Sequence, residues 1–210
     1  MPEATDVTFG RLWQPCFPEA DETSSQLIYE EVKAAHEAEE RFFNTWVRVQ
    51  EQFELVAKYF RDAPIELRMV LFFRHLVLCD EAASARRAEQ MMYRLQCNRF
   101  TIGTVCRGIR EPIIELPRVG NPVMRFARDV NLFPLGEAPE IYRANTALKR
   151  QEHPKAEMSD EAWAALNLPR ITELLSQPRI FWDQTLEDER GDQSRRNLLA
   201  DQAELMSVAA

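Results

Sequence analysis

TSSQLIYEEVKAAHEAEERFFNTWVRVQEQFELVAKYF, residues 23–60, carries the clearest pattern in the chain. Ile28, Val32, Ala35, Glu39, Phe42, Trp46, Val49, Phe53, Val56 and Phe60 follow one another at alternating steps of four and three. A 3.5-residue repeat of this kind keeps one face of a helix apolar over many turns. Glu39 is its only charged member. Glu30, Glu31, Lys33, Glu37, Glu40, Arg41 and Glu51 lie around the stripe, as a solvated face requires. The stripe is rich in large aromatics, which suits a helix packed in a globular bundle better than a free zipper. One long helix is predicted, starting near Thr23 or Ser24, with Thr23 and Gln26 as a weak capping box.

Asp62-Ala63-Pro64 marks a stop and a restart, because Asp can cap the next helix and Pro is tolerated in a first turn. The second helix is expected to run to about Leu95. Ile65 to Cys79 is apolar nearly all round and should be central. Beyond it Ala82, Ala83, Ala85, Ala88, Met91, Met92 and Leu95 face inward, with arginines outside. The short connection makes the two helices antiparallel neighbours. Folding this hairpin about residue 62 brings Glu39 opposite the neighbourhood of Arg86. A Glu39–Arg86 ion pair is predicted, because a buried charge needs a partner.

The fold class that follows is all-α: a long antiparallel hairpin, 24–95, packed with several shorter helices around an irregular, Pro-punctuated segment, 96–137. Six glycines in 210 residues argue against an all-β fold, whose turns need more. Thr101, Gly103 and Thr104 alternate with Phe100, Ile102 and Val105, which suits a short hairpin or loop. Pro112, Pro117, Pro122 and Pro134 punctuate what comes after. Helices are expected from Asn121-Pro122 to about Val130 and from Ala138-Pro139 to about Arg150. Further helices are expected over 160–166 behind a Ser159 cap, with Trp163 inward, and over 168–176, 178–189 and 194–206. The organisation read from this is a flexible acidic tail over 1–22, a helical domain over 23–190 and a C-terminal tail helix over 191–210. Within the N-terminal tail Phe9, Trp13 and Phe17 are spaced four apart. That is the pattern of a partner-binding helix, although Pro15 and Pro18 interrupt it. The alternative is that these rings tack the tail onto the domain.

Few chemistries fit. The chain has no run of roughly 18 apolar residues, so no membrane contact is expected. Its start is acidic, with no basic stretch followed by an apolar one, so secretion is not expected. Cys16, Cys79, Cys97 and Cys106 are too dispersed for a disulfide framework, and a reducing compartment is expected, cytoplasmic or nuclear. His75 and Cys79 would share a helical face and could ligate zinc. On a continuous helix, however, Cys97 lies about 27 Å further on, against Zn–S bonds of about 2.3 Å. No metal site is therefore expected. Phosphate loops, nucleophile elbows and di-metal bundle motifs do not occur. No catalytic residue and no cofactor are expected.

Charge is distributed unevenly. The formal net charge is −8. Residues 1–83 carry 8 basic and 16 acidic groups, residues 84–150 carry 12 and 6, and residues 151–210 carry 6 and 12. Arginine supplies 22 of the 26 positive charges, and its rigid fork suits phosphate and carboxylate. Arg86, Arg87, Arg94, Arg99, Arg107, Arg110 and Arg118 lie close in sequence, with Tyr93 and Phe100 among them. Arginines neutralise phosphates and rings stack on bases, the combination that single-stranded nucleic acid binding uses. A basic face can equally dock the acidic ends of this chain or of a neighbouring copy. The expected function is a non-enzymatic, self-associating binding protein, of nucleoprotein or accessory type, that contacts single-stranded nucleic acid. The alternative is a helical adaptor with protein partners alone.

Overall fold

The stripe of residues 23–60 folds as two helices with a break between them. The computed structural model describes residues 8–110, 121–153 and 158–209, and all regular structure among these is helical. The chain forms two compact units, Met1–Glu111 and Pro112–Ala210.

In the first unit, α1 (Glu22–His36) and α2 (Trp46–Tyr59) share the stripe. Ile28, Val32, Trp46, Val49, Phe53, Val56 and Phe60 are all buried. Only the middle departs: Glu39 is exposed and Ala35 and Phe42 are not buried. A lone carboxylate cannot enter an apolar seam, and residues 37–45 leave the helix around it. His36 closes α1. Its ring is buried, with one nitrogen 3.0 Å from the Asn44 carbonyl oxygen and the other 3.1 Å from that of Phe72. Burial holds this ring below its ordinary pKa, against the pull of the two carbonyls. Thr45 then caps α2, its hydroxyl accepting from the Arg48 N–H at 3.3 Å. The Glu39–Arg86 ion pair is absent. Glu31 instead takes Arg87 at 3.2 Å and Arg94 at 3.5 Å.

The predicted second helix is also two: α3 (Ile65–Phe73) and α4 (Glu81–Arg94). Cys79 between them has φ 53°, a left-handed conformation that a helix cannot continue through. Asp80 then caps α4, accepting from the Ala83 N–H at 2.7 Å. The Ser84 hydroxyl folds back on Val77, accepting from its N–H at 3.0 Å and donating to its carbonyl at 3.1 Å. Four helices thus replace the hairpin of two uninterrupted ones. Residues 99–110, expected as a hairpin or loop, form α5 (Arg99–Arg110). The buried Arg74 donates to the Gly108 carbonyl at 2.7 Å, tying the end of α3 to α5.

Of the expected N-terminal tail, residues 1–7 lie outside the described residues, and the rings from Phe9 to Phe17 are packed into the first unit. Residues 9–16 form two short helical turns, and Phe9, Trp13, Cys16 and Phe17 are buried. Trp13 has no exposed surface and lies within 6 Å, centroid to centroid, of Phe17, Tyr29, Phe72 and Phe73. Its indole N–H donates to the Ser25 hydroxyl at 3.0 Å. Phe9, Trp13 and Phe17 are therefore core residues. The prolines that spoil a regular helix there end it after two turns and leave the rings to pack.

The second unit holds α6 (Pro122–Leu132), α7 (Pro139–Glu152), α8 (Asp160–Ser176), α9 (Gln184–Leu186) and α10 (Asp192–Ala209). Asn121 and Ser159 cap α6 and α8 as expected. α8 runs through Pro169, where two helices were expected, and residues 178–183, also expected as helix, are irregular. Two carboxylates, the buried Asp129 and the partly exposed Glu187, fix that irregular stretch. Asp129 accepts from the N–H groups of Trp182 at 2.8 Å and Asp183 at 2.7 Å, and Glu187 from those of Ile180 at 2.9 Å and Phe181 at 2.8 Å. α10 is no free tail. It packs along α8, Gln202 donates to the Thr172 hydroxyl at 3.1 Å, and Asp201 accepts from the Tyr142 hydroxyl on α7.

Candidate nucleic-acid interface

The connection from α4 to α5 is four residues, Leu95–Asn98, and its conformation is set by hydrogen bonds. The Cys97 N–H donates to the Met92 carbonyl at 3.0 Å and the Gln96 N–H to the Tyr93 carbonyl at 3.1 Å, with Gln96 left-handed at φ 58°. This is a Schellman helix end, usually built on glycine. One residue on, the Asn98 side chain accepts from the Thr101 N–H at 2.9 Å and opens α5. α4 buries Ala85, Ala88, Met91 and Met92, and α5 buries Ile102, Val105, Cys106 and Ile109.

The polar faces of the two helices border a groove of about 390 Å³. Glu89 and Tyr93, one turn apart, line it from α4, and Arg99, Gly103, Arg107 and Arg110 line it from α5. Steps of four, four and three put these α5 residues on one side of the helix. Tyr93 is 52% exposed and Phe100, beside Arg99, is 80% exposed. Arg99, Arg107 and Arg110 make no ion pair among the described residues, and neither does Glu89. A methyl group added at Gly103 would meet nothing within 4 Å, so the groove is open there to the helix backbone. Cys106 lies at the base, its thiol raised by burial and by Glu89, with Arg110 pulling it down. A thiol held up in this way is a poor nucleophile.

The remaining expected residues divide. Arg87 and Arg94 face Glu31 on α1 and are engaged in the fold. Arg86 is exposed one turn before Glu89. Arg118 lies outside the described residues. Of the expected set, then, Tyr93, Arg99, Arg107 and Arg110 come together, with Phe100 adjacent. Sequence reading missed Glu89 and Gly103. The signal for both was present as helical spacing, Glu89 four before Tyr93 and Gly103 midway between Arg99 and Arg107.

Among the described residues no group of three His, Cys, Asp or Glu side chains could hold a metal ion. His75 follows the end of α3 and Cys79 is left-handed, so the two share no helical face. No helix of the described residues is long and apolar enough to cross a membrane. No family model matches the chain, and comparisons with curated proteins and with solved structures return no match.

Proposed function

We propose that the α4–α5 face binds single-stranded nucleic acid. The observation that carries this reading is that Arg99, Arg107 and Arg110, none of them paired within the described fold, border one groove with the exposed Tyr93 ring, while the exposed Phe100 follows Arg99 in the chain. Unpaired guanidinium groups release counterions from a phosphate backbone when they bind it, and exposed rings accept bases of any sequence by stacking. A stacked base contributes about 1–3 kcal/mol. Arg87 and Arg94, by contrast, share the single carboxylate of Glu31.

Fluorescence anisotropy with a labelled oligonucleotide of about 12 nucleotides tests this. Binding should appear at about 50 mM salt and weaken steeply toward about 200 mM. The double substitution Arg99→Glu and Arg107→Glu should lower affinity at least about tenfold and flatten the salt dependence. Helical content should not change, since both side chains are exposed. Absence of binding by the unaltered protein at low salt would refute the reading and favour a protein-only partner.

Self-association is a second part of the reading. Ile141 and Leu148 on α7, and Leu199 and Met206 on α10, are exposed apolar residues seven apart on their helices. Such stripes suit the same stripe on a second copy. Light scattering of the full chain should give a mass above one chain, and Leu199→Glu with Met206→Glu should reduce it. A monomer at all concentrations would remove this part of the proposal.

A further inference from the structure

We infer that the groove between α4 and α5 selects guanine among the bases of a single strand, with Glu89 as the selecting residue. This rests on the α4–α5 face being the nucleic-acid contact. A groove meant only for phosphate has no use for a carboxylate, which repels the ligand. Glu89 is nevertheless the one acidic residue between Arg86 and Arg110, and it lines the groove with three guanidinium groups without pairing to any of them. It is half-buried in the groove wall and makes no ion pair among the described residues, so its carboxylate is available to donors from an occupant.

The occupant must therefore offer acceptors to arginine and donors to a carboxylate. Guanine offers both on adjoining edges. Its O6 and N7 accept from an arginine fork, the commonest specific base contact. Its N1–H and N2–H2 are neighbouring donors that match the two oxygens of one carboxylate. Cytosine and adenine present one amino group beside a ring acceptor. Uracil presents one imide N–H flanked by two carbonyl oxygens, which oppose a carboxylate. These edges are open to side chains in a single strand, where bases splay out and stack. Tyr93, one turn from Glu89, supplies the ring. Gly103 adds no side chain to the groove wall, so the helix backbone is open to an occupant there.

The test uses the full chain and three oligonucleotides of about 12 nucleotides. One is all uracil, one has guanine at alternate positions, and one has inosine at those positions. Inosine keeps O6, N7 and N1–H and lacks only the 2-amino group. The guanine strand should bind about tenfold more tightly than either of the others. Glu89→Gln, which keeps a good helix former and the side-chain shape, should bring guanine and inosine within about twofold of each other. It should leave uracil binding unchanged or tighter, since a repelling charge is gone. Equal binding of all three strands by the unaltered protein would overturn guanine selection while leaving nucleic-acid binding intact. Discrimination that persists in Glu89→Gln would overturn the role of Glu89. No binding of any strand would overturn the underlying reading.

Discussion

Trp13→Ala is expected to destabilise the first unit by about 3–5 kcal/mol. The indole is fully buried and is shared by four other rings, so its loss opens a cavity that rigid aromatic neighbours cannot collapse into. It also removes the donor to the buried Ser25 hydroxyl. Each ring pair contributes beyond its area, by about 0.5–1.5 kcal/mol. Chemical denaturation followed by far-ultraviolet circular dichroism measures the effect, because it does not depend on tryptophan emission. Deleting residues 1–22 should cost at least as much. A loss below about 1 kcal/mol would contradict the core placement of the N-terminal turns, since that is the scale of a surface change.

Asp129→Ala should produce a comparable loss in the second unit, again about 3–5 kcal/mol, the range for removing one partner of a buried ion pair. Asp129 has no exposed surface, lies 3.5 Å from the equally buried Arg128, and accepts the Trp182 and Asp183 N–H groups. Its removal strands two backbone donors and takes from Arg128 its nearest opposite charge, leaving Glu187 as the next. Arg128 would keep the Ile180 carbonyl and Gln177 Oε1, but neither carries charge. Asp129→Asn, which retains one acceptor, should cost less. The pH dependence has a definite sign. Burial pushes the Asp129 carboxyl up to about 6, while the two N–H donors and Arg128 restrain the rise. The folded state therefore binds this proton more tightly than the unfolded chain does. The stabilisation from that proton is complete below pH ~4, the unfolded value, and is lost as pH rises through about 6. The difference in stability between the unaltered protein and Asp129→Ala should thus widen as pH falls from 7 to 5. A difference that narrows over that range would show that the carboxylate contacts outweigh the desolvation.

Much of this architecture was legible in the chain, and the reasons for the misses are physical. Helix class and the buried face of α1 and α2 followed from the repeat, because apolar spacing reports which side of a helix must leave water. Asn121, Ser159 and the Pro-marked starts of α6 and α7 were readable because capping is local chemistry. The breaks at 37–45 and 74–80 were missed for a different reason. His36, Arg41 and Arg74 satisfy carbonyl oxygens about 35 positions away in the chain, and no local pattern announces such bonds. The break at Glu39 was visible as a charge in the seam, and the ion pair assigned to it came from assuming that the helix continued. At the interface, arginines and rings were countable in advance. Their sorting was not, because Glu31, which takes Arg87 and Arg94 away from the groove, comes from another helix.

The four-residue link between α4 and α5 has a kinetic meaning. Among the described residues, every side chain that lines the groove falls between positions 89 and 110. Contacts so near in sequence close with little loop entropy and form early. The support behind the groove, from α3 through Arg74 and from α1 through Glu31, has to wait for distant segments to arrive. The crevice is thus specified by one short stretch of the polypeptide. It can be reshaped by changes within that stretch, without renegotiating the rest of the molecule.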